Sequence, residues 1–492
     1  MTNSVLLDRV ETSSTTTTAA REAAPNRWLI LAVILAAECM DLLDGTIVNV
    51  AAPSIRSELH TSLSHLQWIV GGYALTFAIG LVVGGRLGDL YGRRRLFLIG
   101  IAGFTLSSVL CGIAGSAGQL IAFRLLQGVF AAVMIPQGFG IVRSSFPKEE
   151  IAKAFGMFGP VIGGAAVLGP IVGGALVDGD LFGLGWRAIF LVNAPIGILV
   201  LIAAVRLLPE SRLPRAPRLD VAGAVLVTGA CGLLVLPLIQ GRELDWPAWT
   251  FASMAASVLA FAAFGLHAAR RERAGRSPLV ETSVLKTRSY SVGVLVALVF
   301  FAGMIGMMLT MSLYLQIGQG FSAIHTGLTL TPWAIGTAIG AGIGAGALGP
   351  KIGRPVLHGG LVVMAIGVAA TLLVVHASGA DVSTWALAGP QLVAGTGMGA
   401  VLAPLFGFVL AGVRDHEVGS ASGVLNAVQQ LSGALGVAAI GTLFFSVAAD
   451  RGLVSAFEAS LWVELGLLAV AAALVFALPQ RMRPEEELYA AA

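Results

Sequence analysis

The sequence predicts an all-α protein that crosses a membrane many times, with two six-helix bundles and two further helices inserted between them. Three observations predict it. The 492 residues are 56% hydrophobic and only 12% charged, with a mean hydropathy of +0.87; a soluble domain carries about 25% charged residues. The apolar residues gather in runs long enough for a bilayer core, which needs about 20 residues per helix. The basic residues gather in alternate loops, as the positive-inside rule requires of a multi-pass protein.

In chain order, spans are expected near 28–50, 66–88, 96–115, 119–142, 152–177 and 187–207, then 220–241 and 249–269. After a basic loop come 290–315, 326–349, 355–376, 384–410, 418–447 and 458–479, which makes fourteen. The 63 glycines suit such a bundle, because small residues let membrane helices approach closely. The first span is too long for a signal-peptide core and no cleavage site follows it, so it is expected to stay. Cys39, Cys111 and Cys231 lie in apolar runs too far apart for a metal or redox motif and read as small buried residues.

The 30 lysines and arginines test the count. With a cytoplasmic N-terminus, 25 of them fall in the tails and inside loops and only Arg56, Arg187, Arg242 and Arg451 fall outside, while Arg124 lies within a span. One missed helix would destroy that bias. The expectation is a multi-pass protein of the cell's inner membrane with both termini cytoplasmic.

A repeat underlies the two bundles. "GRLGDLYGRR" at 85–94 follows the second span, and "GALGPKIGRP" at 346–355 follows the tenth. A single offset of 261 superposes Gly85, Leu87, Gly88, Gly92 and Arg93 on Gly346, Leu348, Gly349, Gly353 and Arg354, and carries the start of the first span onto that of the ninth. Two parallel six-helix halves around a central substrate site are an architecture of secondary transporters. The expected division is a disordered cytoplasmic tail at 1–27, a bundle at 28–208, the inserted pair with its basic loop at 209–288, a second bundle at 289–480 and a tail at 481–492.

The first span carries the main chemical signal. "ECMDLLDGTIVNV", residues 38–50, places Glu38, Asp41 and Asp44 in an apolar run. At about 100° per residue they fall at 0°, −60° and −120°, one broad face of a helix. Each charged group costs about 2.5–3.5 kcal/mol at mid-bilayer, so all three must face a cavity or a partner. A carboxyl that gains and loses a proton between two accessible states is what proton-coupled transport requires. Glu38 and Asp41, nearer the cytosolic end, are expected to line the cavity, attract cationic or zwitterionic substrates and titrate. Arg124 needs an anionic or carbonyl partner, which the first helix supplies, and Gln127 sits one turn further on the same side. The alternative for any single acid is a structural salt bridge with Arg124.

The last six spans read as free of buried charge, leaving polar and aromatic candidates for a cavity. Asn426 and Gln430 lie in "GVLNAVQQLSGALG". Met304, Met307, Met308 and Met311 form an i, i+3, i+4, i+7 stripe, either an adaptable cavity wall or a lipid-facing or core stripe. Trp68, Tyr73, Tyr314 and Trp333 are cavity candidates or anchors at the membrane interface.

Five motifs in order carry a family resemblance: "LDGTIVNVAAP" (43–53), "GRLGDLYGRRR" (85–95), "RLLQGVFAA" (124–132), "GAAVLGPIVGG" (164–174) and "WRAIFLVNAPIG" (186–197). With them, residues 28–479 resemble the major facilitator superfamily, and within it the fourteen-helix drug:proton antiporter branch. The resemblance implies export of amphipathic drugs by alternating access, coupled to protons. It implies a proton-coupling role, or a structural role linked to coupling, for Asp44, and participation of Arg124 in proton transfer. It implies gating on the cytosolic side by Gly85, Asp89, Gly92 and Arg93. It also implies a leak-preventing seal at Gly164, Gly169, Pro170, Gly173 and Gly174, the antiporter motif GxxxGPxxGG. In the second-half loop Pro350 replaces the aspartate, so the gating role does not carry over there. A dedicated proton-coupled exporter of one metabolite or antibiotic is the alternative.

Other chemistries find no residues to carry them. There is no GxxxxGK[ST] loop for ATP, no Cys/His cluster for a metal and no catalytic constellation. The expectation is therefore no enzyme, no cofactor and no nucleic-acid partner. The partners expected are the lipid bilayer, protons and small-molecule drugs, with the chain acting as a monomer.

Overall fold

In the computed structural model the described residues are 26–480, apart from 148–149, 151–153, 155–156, 211–219, 277, 380, 411 and 414–417. The expected tails at 1–27 and 481–492 lie outside them, save for residues 26 and 27, and so does Arg414, one of the inside-loop arginines.

The described chain is helical throughout. The first six long helices are α1 (Arg27–Leu59), α2 (Leu63–Tyr91), α3 (Arg93–Gly112), α4 (Ala117–Ser145), α5 (Phe158–Asp178) and α6 (Gly185–Leu207, opening with a 3₁₀ turn). Then follow α7 (Val221–Gln240) and α8 (Ala248–Arg273). The last set begins with α9 (Arg288–Leu313, continued by a π-helical turn, Tyr314–Gly318), α10 (Ala323–Ala341), α11 (Pro355–Ser378) and α12 (Thr384–Leu410). A run of 58 residues, Val418–Val475, completes it; Gly452 at φ 84° breaks the run into α13 (418–451) and α14 (453–475).

Local chemistry sets several of the ends. Ser62, Ser116 and Ser322 cap α2, α4 and α10 by accepting from the amides three residues on, at 3.2, 3.4 and 3.3 Å. Asp220 does the same for α7 through Gly223 N (3.0 Å), and also accepts from Leu279 N (3.2 Å) and His267 (2.9 Å). Between α2 and α3 the chain turns on Gly92 at φ 101°, a backbone conformation that a side chain would strain.

These helices sit where the sequence predicts spans, but length and composition do not by themselves return fourteen crossings. Nine helices among the described residues are long and apolar enough to cross a membrane, or ten if the bent pair Leu63–Leu81 and Val83–Tyr91 is one span. The 58-residue run counts as one because its break is a single glycine. α1 is not among them: its apolar length is interrupted by Glu38, Asp41 and Asp44.

The first six helices meet the last six most visibly at the end of the bundle where α1 finishes and α2 begins. Ser312 Oγ donates to Asn49 O (2.8 Å) and Gln316 Nε2 to Val50 O (2.8 Å), tying α9 to α1. Gln67 Nε2 on α2 donates to Val437 O (3.0 Å) and Ala438 O (3.2 Å) of α13. Asp178 at the end of α5 accepts from Ile324 N (2.7 Å) and Ala323 N (3.2 Å), so a carboxylate closes the N-terminus of α10, where the helix dipole favours it. The inserted α7 lies across the α2–α13 seam: Cys231, Val235 and Ile239 pack with Leu75, Ala434 and Ala438.

The expectation that the last six helices hold no buried charge overlooks a buried ionisable side chain. Glu464 on α14 is fully buried. It was hidden because a lone acid in a long apolar run leaves the hydropathy of that run almost unchanged.

Candidate coupling site

Side chains from α4 and α6 converge on Asp44 of α1. Its side chain is 1% exposed, and it is paired by Arg124 Nη1, which sits on α4. Gln127 Nε2, one turn along α4, donates to Asp44 Oδ1 at 2.9 Å, and Asn193 Nδ2 on α6 donates to the same oxygen at 2.9 Å. Asn193 also donates to Ser108 Oγ on α3 (3.0 Å). Arg124 is satisfied in turn: Nε donates to Ile69 O of α2 (3.1 Å) and Nη1 to Gln127 Oε1 (2.8 Å). Its guanidinium lies over the Tyr73 ring, 4.2 Å from the centroid. A buried ion pair depends on such additional hydrogen bonds, and here they engage Nε and Nη1 of Arg124 and both carboxylate oxygens of Asp44.

One turn from Asp44 towards the termini, Asp41 is buried and accepts from the Tyr73 hydroxyl. Tyr73 thus touches both acids' surroundings, its hydroxyl on Asp41 and its ring face on Arg124. Glu38, a turn further, is half-buried. The three acids therefore form a ladder on one helix: Asp44 held by a cation and two amides, Asp41 held by a phenol, and Glu38 with the most exposure.

The structure brings Asp44, Arg124 and Gln127 together and sets Asp41 beside them. Gln127, expected to contact substrate, is fully enclosed in this network. Asn426 and Gln430 are half-buried on α13, apart from the network. One member, Asn193, escaped the sequence reading, and Tyr73 was named without its role. Asn193 lies inside the "WRAIFLVNAPIG" motif, where a lone amide in an apolar run was the available signal. Tyr73 was weighed as an interface anchor, yet it is 5% exposed. Tyr314 and Trp333, weighed the same way, are buried as well.

In the loop 85–95, Asp89 and Arg93 pair with each other at 2.9 Å, and Arg93 Nη1 reaches Gly140 O on α4 (3.1 Å). Gly85 has open room around it, with Pro136 Cβ 3.9 Å from where its own Cβ would lie, whereas Gly92 makes the turn. The α5 motif divides its work. A Cβ at Gly169 would lie 2.1 Å from Thr46 Oγ1, and one at Gly173 would lie 3.1 Å from Ile47, so these two glycines seat α5 on α1. A Cβ at Gly174 would meet Ile324 Cα at 2.4 Å, and one at Gly327 would meet Pro170 O at 2.3 Å, so the same motif seats α5 on α10. Gly164 faces open space and takes no part in either contact.

The methionine stripe proves to be internal. Met307, Met308 and Met311 line a small pocket with Leu330, Trp333 and Gln391, closed on the α14 side by Phe457 and Leu461.

Comparison with known proteins bears on the family and the fold. The Major Facilitator Superfamily profile matches residues 34–437, most of the chain. The chain belongs to that superfamily. Among relatives of this superfamily member, it is 50% identical over 429 residues to the "Probable actinorhodin transporter" of Streptomyces coelicolor, an alignment covering 87% of this chain and 74% of that protein. It is 33% identical over 428 residues to the "Tetracenomycin C resistance and export protein" of Streptomyces glaucescens, covering 86% and 77%. The fold matches that of an auto-inhibited POT family peptide transporter with a TM-score of 0.67 at 13% identity, covering 91% of this chain and 96% of that one.

Proposed function

We propose that this superfamily member is a proton-coupled efflux transporter working by alternating access. In this reading fourteen crossings are divided into bundles at 28–208 and 289–480, with both termini cytoplasmic. The observation that carries the reading is the ladder of three carboxyls on α1, of which only Asp44 is neutralised by a cation. A fixed Asp44–Arg124 pair gives the bundle a rigid charged reference one turn from Asp41, whose partner is a neutral hydroxyl. Asp41 and Glu38 are then the groups that exchange a proton for cargo, and Asp44 ties that exchange to the packing of α1, α4 and α6. The α5 motif, wedged between α1 and α10, keeps the two bundles sealed while the exchange takes place.

A dedicated exporter of one antibiotic is the alternative to a broad multidrug pump. The support is that both relatives described above carry the name of a single compound. The deciding experiment uses purified protein in liposomes with an acidic lumen and three probes: actinorhodin, tetracenomycin C and the lipophilic cation ethidium. Uptake of one of the antibiotics that collapses with the pH gradient supports the dedicated exporter, and uptake of ethidium at a similar rate replaces it with a multidrug pump. Uptake unaffected by collapse of the gradient, or unchanged in the Asp41→Asn variant, overturns proton coupling at this site.

A further inference from the structure

The last six helices contain a carboxyl that the α1 ladder does not use. Glu464 has no exposed surface, and neither Oε1 nor Oε2 has a hydrogen-bond partner. It lies near the middle of α14, opposite Gly303 near the middle of α9. A Cβ at Gly303 would stand 2.3 Å from Glu464 Oε2, so the carboxyl occupies the space the glycine leaves.

Its neighbours offer no counter-charge. α12 carries no charged residue, and α9 carries none between Arg288 and Tyr314. The titratable groups of the surrounding helices stand towards their ends. These are Tyr290 and Tyr314 on α9, His325 on α10, His358 and His376 on α11, and Asp450 and Arg451 beside Gly452. Several are engaged elsewhere: Tyr290 donates to Ala421 O (2.8 Å), Tyr314 stacks on Phe457 and His325 meets Thr384 Oγ1 (2.6 Å). Glu458, more than one turn away on α14, bonds His376 at 3.0 Å.

An uncompensated carboxylate in such a place is strongly destabilising, whereas the neutral acid is tolerated. A position that served packing alone would hold an apolar residue. A small pocket lies close by. Phe457, Leu461 and Glu464 fall on one face of α14 at i, i+4 and i+7, and Gly303, Met307 and Met311 on one face of α9. The methionine-lined pocket, with room for about one water molecule, therefore begins one turn from the carboxyl on both helices.

We propose that Glu464 is a second proton-binding group, neutral in the conformation described, which ionises during the cycle when water entering by the methionine pocket loosens α9 from α14. The proton leaves the carboxyl oxygen for that water and returns when the helices close. This goes beyond the α1 ladder, since each site can be tested while the other is intact.

The test is infrared difference spectroscopy on the full-length purified protein in lipid nanodiscs, across a pH titration. The wild type is expected to show a protonated carboxyl C=O band that Glu464→Gln removes and Asp41→Asn leaves in place. A parallel liposome assay with actinorhodin is expected to show Glu464→Gln losing at least tenfold of gradient-driven uptake while retaining downhill exchange and a wild-type melting profile. A band unaffected by Glu464→Gln, or a wild-type rate of uphill uptake in that variant, overturns the proposal and leaves the α1 reading standing. If Glu464→Gln misfolds, Glu464→Asp supplies the second arm, since a carboxyl drawn back by one methylene must shift the same band. An unshifted band in Glu464→Asp overturns the assignment too.

Discussion

The first and last six helices each bury acid, and they treat it in opposite ways. Asp44 is surrounded by a guanidinium and two amides drawn from α4 and α6, whereas Glu464 is surrounded by hydrocarbon and a missing side chain. The first arrangement supplies partners for a charge. The second holds a charge only if the helices around it separate. The two sets of six helices thus differ in kind, one holding an ion pair and the other a carboxyl without a partner. The repeat offset of 261 sharpens the contrast, because it places Val299, Ala302 and Ile305 of α9 where α1 has its three acids.

The contrast breaks first at Arg124. Arg124→Ala leaves Asp44 buried beside two amides with no cation, and removing one partner of a buried pair costs about 3–5 kcal/mol. The expected outcome is a large loss of thermal stability in detergent together with loss of transport. The double variant Arg124→Ala/Asp44→Asn should recover much of the stability and none of the transport. If the single variant melts like wild type, the ion pair is not the frame of the first bundle.

Gly303 tests the other side. Gly303→Ala forces a methyl group onto Glu464 Oε2, an overpacking worth about 1–3 kcal/mol, and Glu464→Ala in the same chain should relieve it. Gly45, on the same helix as the acids, has nothing within 4 Å of its would-be Cβ, so Gly45→Ala should leave stability unchanged. Equal melting shifts for the two alanine variants would erase the difference in packing on which the comparison rests.

Tyr73 is a finer probe. Tyr73→Phe keeps the ring over Arg124 and removes the hydroxyl from Asp41, a single hydrogen bond of about 0.5–1.5 kcal/mol. A modest drop in melting temperature with a severalfold slower gradient-driven uptake is expected. Transport at the wild-type rate would show that Asp41 works without its phenol.

How much of this was legible beforehand follows from what each residue announces. The three acids of α1 stood out because three charges cannot be absorbed by an apolar helix, and Arg124 because it was the lone cation of its span. The α5 glycines were visible as a pattern, though only coordinates show that Gly169 and Gly173 serve α1, that Gly174 serves α10, and that Gly164 serves neither. Asn193 and Glu464 were not singled out, and Tyr73 was named without its partner. Amides and phenols are common in membrane helices, and whether one faces lipid, a cavity or a carboxylate depends on helix rotation, which a weakly amphipathic sequence does not specify. Glu464 needed Gly303, 161 residues earlier, to explain where its carboxyl fits, and no local pattern links the two.

The smallest effect tests the inserted pair, which touches both bundles. The loop after α7 holds Glu243, which accepts from Ser64 N at the start of α2 (3.0 Å), while Thr442 Oγ1 on α13 donates to Leu238 O of α7 (2.9 Å). Partial burial alone would raise Glu243. The hydroxyl and amide of Ser64, then Ser62 and Arg242, outweigh it and hold the carboxyl below its ordinary value of 4.5. A depressed native value means that the anchor is fully present at pH above the unfolded value and is lost as pH falls through the native one. For a group this exposed the contribution is about 0–1 kcal/mol. The wild type should therefore lose that small increment of melting temperature as the pH is lowered below about 4.5, whereas Glu243→Gln should lack the increment at neutral pH and show a flatter profile. The α13 side of the seam, held by the uncharged Thr442, should contribute no such slope, and parallel pH profiles for wild type and Glu243→Gln would mean that the inserted pair is not anchored to α2 by charge.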